Sequence, residues 1–159
     1  MRLKYRLGAV FCMLLAAISV LNSKDASAET HTVMMLHRAM ATPQVRNVFD
    51  PPVIRVKPGD TVRFLAIDKG HNSQSVKGMI PKGAKPWNSA VGKTVEVTLK
   101  VPGVYGYICT PHYTVGMVGL IIVEGKDWRS NLESAKKIKH PGRSRTRFRA
   151  MFQEVDKFK

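Results

Sequence analysis

The sequence predicts a mainly β fold, a β-sandwich or barrel, followed by C-terminal helices. Up to about Glu124 the chain consists of short alternating or β-branched runs separated by turn-forming residues. Short strands with regular turn signals are typical of sandwiches and barrels. Beyond Gly125 the apolar residues change to a spacing of three and four, which is typical of one helix face. An all-β part and a helical tail therefore follow each other along the chain.

The strand predictions rest on runs rich in valine, isoleucine, threonine and aromatic residues. Turn formers lie between neighbouring runs at Pro58-Gly59-Asp60 and Pro102-Gly103, which indicates antiparallel pairing. The predicted strands are Thr32 to Leu36, Val53 to Val56, Thr61 to Ile67, Thr94 to Leu99, Val104 to Cys109 and Val118 to Val123.

The tail predicts two helices. Ser130 and Glu133 have the spacing of a capping box, in which each side chain satisfies the other residue's free backbone amide. Pro141-Gly142 then interrupts the helical pattern. The last stretch has one apolar face, which we expect to pack on the sandwich; it is formed by Phe148, Met151, Phe152, Val155 and Phe158.

The N-terminus has the parts of a secretory signal peptide. A basic segment, Met1 to Arg6, precedes an apolar run, Leu7 to Leu21, and the small residues Ala26-Ser27-Ala28 form a cleavage site. The apolar run is shorter than the ~20 residues of a membrane-spanning helix. The predicted organisation is a cleaved signal (1–28), a β domain (29–124) and a C-terminal helical extension (125–159).

One of the two cysteines, Cys12, leaves with the signal, so the mature chain keeps Cys109 alone. An unpaired thiol in an exported protein is either a buried, inert side chain or a reactive or metal-binding one. The neighbourhood of Cys109 favours the second interpretation. The segment Cys109-Thr-Pro-His112-Tyr-Thr-Val-Gly-Met117 follows a predicted strand, and Gly70-His71-Asn72 lies about forty residues earlier.

A thiolate, two imidazoles and a thioether are the ligands that suit copper in both redox states. Soft sulfur stabilises Cu(I), and imidazole supports Cu(II). Each of these residue types alone is usually structural or solvated, but their combined spacing indicates a mononuclear copper site. The predicted ligands are His71, Cys109, His112 and Met117.

The chain resembles the pseudoazurins of the cupredoxin, or type 1 blue copper, family. The matching segments cover essentially all of the mature domain: His31 to Leu36, Asn47 to Pro51, Lys57 to Val62, Asp68 to Asn72, Lys77 to Ala84, Pro102 to Gly106, Cys109 to Tyr113 and Gly116 to Gly119. The resemblance implies a cupredoxin-like Greek-key β-sandwich with two C-terminal α-helices. It also implies a monomer that carries single electrons on one copper ion in the periplasm.

The resemblance further implies roles for residues around the copper. Asn72 would tie its loop to Thr110 and aim a backbone amide at the Cys109 sulfur, which raises the reduction potential. Pro81 would lie beside the exposed edge of His112 and keep water from it. Two positions depart from the family pattern, Asn47 and Val115, where methionine is frequent, and residues 37–46 form a loop about three residues longer than expected.

The chain is strongly basic. Four of its 26 Lys and Arg and one of its 11 Asp and Glu lie in residues 1–28, so the mature chain has 22 against 10, a net +12. Such a charge favours acidic partners in brief, salt-sensitive encounters. The resemblance implies copper nitrite reductases and c-type cytochromes, and the lysines expected around the copper end are Lys69, Lys77, Lys82, Lys85 and Lys93. The arginines of the segment 143–149 are either part of this surface or a solvated helix face.

Other functions remain as alternatives. A periplasmic copper carrier or store needs affinity but no fast redox cycling. An enzyme is not expected, because Cys109 has no adjacent histidine leading to a second copper, and the remaining histidines, His31, His37 and His140, form no paired motif. Nucleic-acid binding is disfavoured by export. Cleavage after Ala28 would also leave Glu29-Thr30-His31, a terminus able to bind a second Cu(II) in a square plane.

Overall fold

The computed structural model describes residues 27–42 and 44–158. The predicted signal peptide, residues 1–28, lies outside this range except for its last two residues. Within the described residues, eight strands form two four-stranded sheets. The strands are β1 (Thr30–Arg38), β2 (Arg46–Asp50), β3 (Val53–Val56), β4 (Thr61–Ala66), β5 (Gln74–Ser75), β6 (Val95–Thr98), β7 (Gly103–Ile108) and β8 (Val118–Val123).

The two sheets have the strand orders β2-β1-β4-β6 and β3-β8-β7-β5. Strand β1 runs parallel to β4 and β3 parallel to β8, whereas the other neighbours are antiparallel. The strands on either side of Pro58-Gly59-Asp60 (β3 and β4) and of Pro102-Gly103 (β6 and β7) lie in different sheets, so the antiparallel pairing expected across these two turns is wrong. The parallel pairs join strands that are distant in the chain, so turn residues between successive strands could not reveal them. The predicted β-sandwich is confirmed, and the barrel alternative is not what the chain forms.

Two apolar clusters hold the layers together. The first lies between the sheets and contains the T-shaped aromatic contacts of Phe49 and Phe64 with Tyr107. The second lies between the outer face of the β7–β8 sheet and the helices, and it includes Leu120 and Phe148. Every residue of β7 and β8 is therefore buried, because one face of each strand meets the other sheet and the opposite face meets the helices.

The helices are α1 (Leu132–Lys136) and α2 (Gly142–Val155), and α2 buries the apolar face expected from its spacing. The predicted capping box is wrong. Asn131 precedes α1 and its side-chain amide binds the backbone of Val104, accepting from the N–H at 2.9 Å and donating to the carbonyl at 2.7 Å. Glu133 instead pairs with Lys136 at 2.8 Å. The two hydrogen bonds between Asn131 and Val104 anchor α1 to the start of β7.

Two strands were not predicted, β2 and the two-residue β5. The expected loop 37–46 is shorter than predicted, because β1 continues to Arg38 and β2 begins at Arg46. Neither helix that the structure describes has the length and hydrophobicity of a membrane-spanning segment.

Candidate metal centre

The candidate ligands meet where strands of the β7–β8 sheet end. Cys109 directly follows β7 and Met117 directly precedes β8, so both ends of the ligand loop (residues 109–117) are fixed by the sheet. His112 closes one turn of 3₁₀-helix, Thr110–His112, inside this loop. His71 comes from the loop between β4 and β5. Cys109, Met117 and His71 are fully buried, and His112 is half-buried.

Three donor atoms form a compact triangle. The two Nδ1 atoms of His71 and His112 lie 3.1 Å apart, and Cys109 Sγ lies 3.7 Å from the first and 3.5 Å from the second. A circle through three points at these separations has a radius of about 2.0 Å, close to the ~2.0–2.3 Å bonds that imidazole nitrogen and thiolate sulfur make to a transition metal. The three side chains therefore fit one metal ion at their centre.

Met117 belongs to the same buried cluster as Cys109. Its N–H donates to the His112 carbonyl at 3.0 Å, and its carbonyl accepts from the Cys109 N–H at 2.9 Å. The loop residues of the predicted ligand set are thus joined by backbone hydrogen bonds. A thioether at this place would add the soft fourth donor that favours Cu(I).

Burial controls the protonation of these groups. The pKa of His71 is lowered to about 4, chiefly by burial and in part by the neighbouring His112 and His37. Burial also lowers the pKa of His112, again with a contribution from His37. Both imidazoles are therefore neutral at pH 7, which is the form that binds a metal.

The Cys109 thiol has the opposite tendency. Burial raises its pKa, and backbone N–H groups of Asn72 and His112, which point at the sulfur, partly offset the effect. The same N–H groups would draw charge from a metal-bound thiolate.

Asn72 links the two ligand-bearing loops. Its Oδ1 accepts from the Thr110 N–H at 2.7 Å, and its Nδ2 donates to Thr110 Oγ1 and to the Ser89 carbonyl, both at 3.2 Å. Asn72 is only 3% exposed. These bonds hold the His71 loop against the start of the ligand loop.

His37 also belongs to this site, although no sequence motif links it to the ligands. Its Nδ1 lies 3.0 Å from His71 Nε2, and the two ring centroids are 4.8 Å apart in a T-shaped arrangement. Metal-binding histidines commonly donate their second ring N–H to such a partner, which fixes the tautomer. Only the parallel pairing of β1 with β4 brings His37 to the loop that follows β4, so spacing along the chain could not reveal it.

The prediction for Pro81 is wrong. A methyl group on Gly103 would lie 2.8 Å from ring carbons of Pro81, so this proline packs at the beginning of β7. Cys109 lies six residues further along, about 20 Å away at ~3.3 Å per strand residue. The proline adjacent to His112 is the exposed Pro111.

The five predicted lysines are all exposed, but they do not surround one site. Lys69 and Lys93 lie at the His71 end, since the Gly92 N–H donates to the His71 carbonyl at 2.7 Å. Lys82 follows Pro81, and Lys85 shares a groove with Lys100, so both lie at the opposite end of β7 and the prediction for them is wrong.

Lys77 takes an intermediate position along β7. Its neighbour Val76 donates its N–H to the Gly106 carbonyl at 2.8 Å, halfway along the strand.

The two atypical positions have different surroundings. Asn47 is half-buried and has a φ of 50°, in the left-handed region that asparagine tolerates better than most residues. Val115 is 41% exposed on the ligand loop. Its side chain therefore meets solvent.

His31 does not fit the proposed N-terminal copper site. It lies in β1, and its Nε2 is 2.9 Å from Asp60 Oδ2, while the Glu29 N–H donates to Asp60 Oδ1 at 2.9 Å. A square-planar site would require the backbone of residues 29–31 to leave the strand and both contacts to break.

Comparisons with known proteins agree with this geometry. A sequence profile of copper-binding proteins of the plastocyanin/azurin family matches residues 37–124. A pseudoazurin of Methylorubrum extorquens is 40% identical over 139 residues, which are 87% of this chain and 90% of that protein. A pseudoazurin of Paracoccus pantotrophus is 37% identical over 129 residues, which are 81% of this chain and 86% of that protein. The crystal structure of pseudoazurin from Methylobacterium extorquens AM1 superimposes with a TM-score of 0.73 at 40% identity, covering 79% of this chain and 98% of that one.

Proposed function

Because the chain belongs to the plastocyanin/azurin family of copper-binding proteins and groups there with the pseudoazurins, we propose that it carries single electrons between redox proteins. The proposed ligands of its copper are His71, Cys109, His112 and Met117. When bound, copper supplies the one-electron couple between Cu(II) and Cu(I). The triangle of two Nδ1 atoms and one Sγ, already about 2.0 Å from a common centre, is the observation that carries this proposal.

A carrier works best when its site changes little between oxidation states, because ligand movement adds to the activation barrier. The contacts of this chain oppose movement. The His71 ring lies between His37 and His112, at 3.0 and 3.1 Å, and Asn72 ties its loop to Thr110. The fold therefore holds the donors in place without relying on the metal.

Electrons would enter and leave through His112. The other proposed ligands are fully buried, whereas His112 is half-buried and has the exposed residues Thr110 and Pro111 before it. A partner that docks on this end approaches the copper most closely through the imidazole edge.

The exposed lysines at that end, Lys69 and Lys93, would steer an acidic partner. We propose that the protein works in the periplasm as a monomer and exchanges electrons with acidic redox proteins, such as a c-type cytochrome and a copper nitrite reductase. It would act there as a carrier and not as an enzyme.

Two pairs of lysines test the docking surface with equal changes in charge. The double variant Lys69→Gln/Lys93→Gln should slow reduction by an acidic cytochrome about fivefold to tenfold at low salt and reduce the dependence of the rate on ionic strength. The matched control, Lys82→Gln/Lys85→Gln, removes the same charge at the opposite end and should have a smaller effect. Equal rates for the two double variants would show that net charge alone matters.

Copper storage is the competing function, and the visible spectrum separates the two. Adding one equivalent of Cu(II) to the mature protein should produce an intense thiolate-to-copper band, which Cys109→Ser should abolish. Tight binding without that band, or copper that transfers to a chelator as soon as it is reduced, would favour storage. His31→Ala, which removes a histidine whose side chain binds Asp60 and not the ligand loop, serves as the control.

A further inference from the structure

Helix α2 makes direct contact with the ligand loop. Three of the four backbone carbonyls between His112 and Met117 accept hydrogen bonds from this helix. The Tyr113 carbonyl accepts from the Ser144 hydroxyl, the Thr114 carbonyl from the Arg143 N–H at 2.9 Å, and the Gly116 carbonyl from Arg147 at 2.7 Å. The side of the loop that faces away from the sandwich is therefore held by the C-terminal extension.

Arg147 differs from the other arginines of its helix. Arg145 and Arg149 are exposed, whereas Arg147 is half-buried, and burial lowers the pKa of its guanidinium. Among the described residues it has no carboxylate partner. Its nitrogen atoms bind carbonyl groups instead: Nη1 donates to Gly116 and, at 3.1 Å, to Asn47, and Nη2 donates to Arg46 at 3.2 Å.

These contacts connect two segments that are distant in the chain. Gly116 directly precedes Met117, and Asn47 lies at the start of β2. Both have left-handed backbones, with φ of 99° and 50°. A methyl group on Gly116 would lie only 3.0 Å from Arg147 Cδ, so the glycine allows the arginine stem to pass close to the loop.

We propose that Arg147 is a positioning residue for the proposed copper ligand Met117. By binding the Gly116 carbonyl it fixes the peptide plane from which Met117 enters β8, and by binding Asn47 it joins the ligand loop to the β1–β2 side of the sandwich. This inference rests on the proposed copper function, since Met117 matters as a ligand only there. The prediction that the tail arginines form one solvated or docking face is thus refined, because Arg147 faces the loop.

Arg147→Ala tests the inference in two ways. In the copper-free protein, amide hydrogen exchange at Met117 should accelerate roughly tenfold relative to amides in the middle of β7. In the copper-loaded protein, the ratio of the two main visible bands and the rhombicity of the electron paramagnetic resonance signal should change. Arg147→Lys keeps the charge but not the planar set of donors, so it should restore these properties only in part.

Two control variants separate positioning from general stability. Arg145→Ala removes an exposed charge from the same helix and should leave both measurements unchanged. Met151→Ala removes buried apolar contacts of α2 but none of the hydrogen bonds from α2 to the loop, so it should lower stability but keep the spectrum. If Arg147→Ala and Arg147→Lys match Arg145→Ala, or if Met151→Ala reproduces their spectral change, the inference is overturned.

The exchange measurement also separates this inference from the proposed function. A wild-type protein that forms no thiolate-to-copper band contradicts the electron-carrier proposal, whatever the arginine variants do. Unchanged exchange at Met117 in Arg147→Ala contradicts the positioning role, even when the wild-type protein is blue.

Discussion

Replacing Asn72 with alanine should weaken the connection between the two ligand-bearing loops. The substitution removes three hydrogen bonds, one from the Thr110 N–H at 2.7 Å and two donated by Nδ2 at 3.2 Å. Each is worth about 1 kcal/mol, and the exposed Thr110 amide can bind water instead, so the free energy of unfolding should fall by about 2–3 kcal/mol.

Urea unfolding of the copper-free protein measures this change, because no metal then contributes to stability. Asn88→Ala is the matched control. Asn88 is exposed and its only contact with Asn72 is a marginal one at 3.5 Å, so its replacement should cost less than about 0.5 kcal/mol. In the copper-loaded protein, Asn72→Ala should also lower the reduction potential, because the amide aimed at the Cys109 sulfur is no longer held in place. A loss of stability no larger than that of Asn88→Ala would show that the Asn72 side chain does not hold the two loops together.

Three further changes have definite expected outcomes. His37→Ala should weaken copper binding by His71 about 10- to 100-fold, and His37→Asn, which keeps an acceptor, should recover part of the loss; equal affinities in a chelator competition would contradict this. The pKa of Asp60 is lowered, because backbone N–H groups and His31 outweigh the effect of burial; Asp60→Asn should therefore cost about 1–3 kcal/mol at pH 7. Because folding lowers the pKa of Asp60, its stabilising effect is complete above the ordinary pKa near 3.8 and is lost as the pH falls through the lower pKa of the folded protein. The difference in urea midpoint between the wild type and Asp60→Asn should therefore shrink in acid, and a constant difference down to pH 2 would argue against this. Gly119→Ala should lower the free energy of unfolding by about 1–3 kcal/mol, since a methyl group would overlap the buried ring of Tyr107; thermal unfolding like that of the wild type would disprove the close packing.

The sequence was sufficient to predict the sandwich, the helical tail and the cluster of Cys109 with two histidines. The sandwich and the tail depend on local information, namely strand periodicity and helical spacing, and Cys109 and His112 share one short loop. His71 lies about forty residues earlier, and its assignment rested on the combination of ligand types and on the family resemblance. The fully buried strands β7 and β8 were also found, because both consist of aliphatic and aromatic residues and glycine, without a charged residue.

What the sequence could not predict depends on contacts between distant segments. Pro81 lies within a segment that resembles the family, Lys77 to Ala84, but the turn that carries it packs against Gly103. His37 reaches His71 only because β1 pairs in parallel with β4. Arg147 looks like one more cation in a basic helix, and only its burial against Gly116 distinguishes it.

If a preset site on this fold carries one electron on copper, the copper of the mature protein should be oxidised and reduced without leaving its ligands. Cyclic voltammetry of the copper-loaded mature protein should therefore give a single reversible one-electron wave, unchanged over repeated cycles, that is absent from Cys109→Ser. An irreversible wave, or release of copper on each reduction, would contradict this prediction.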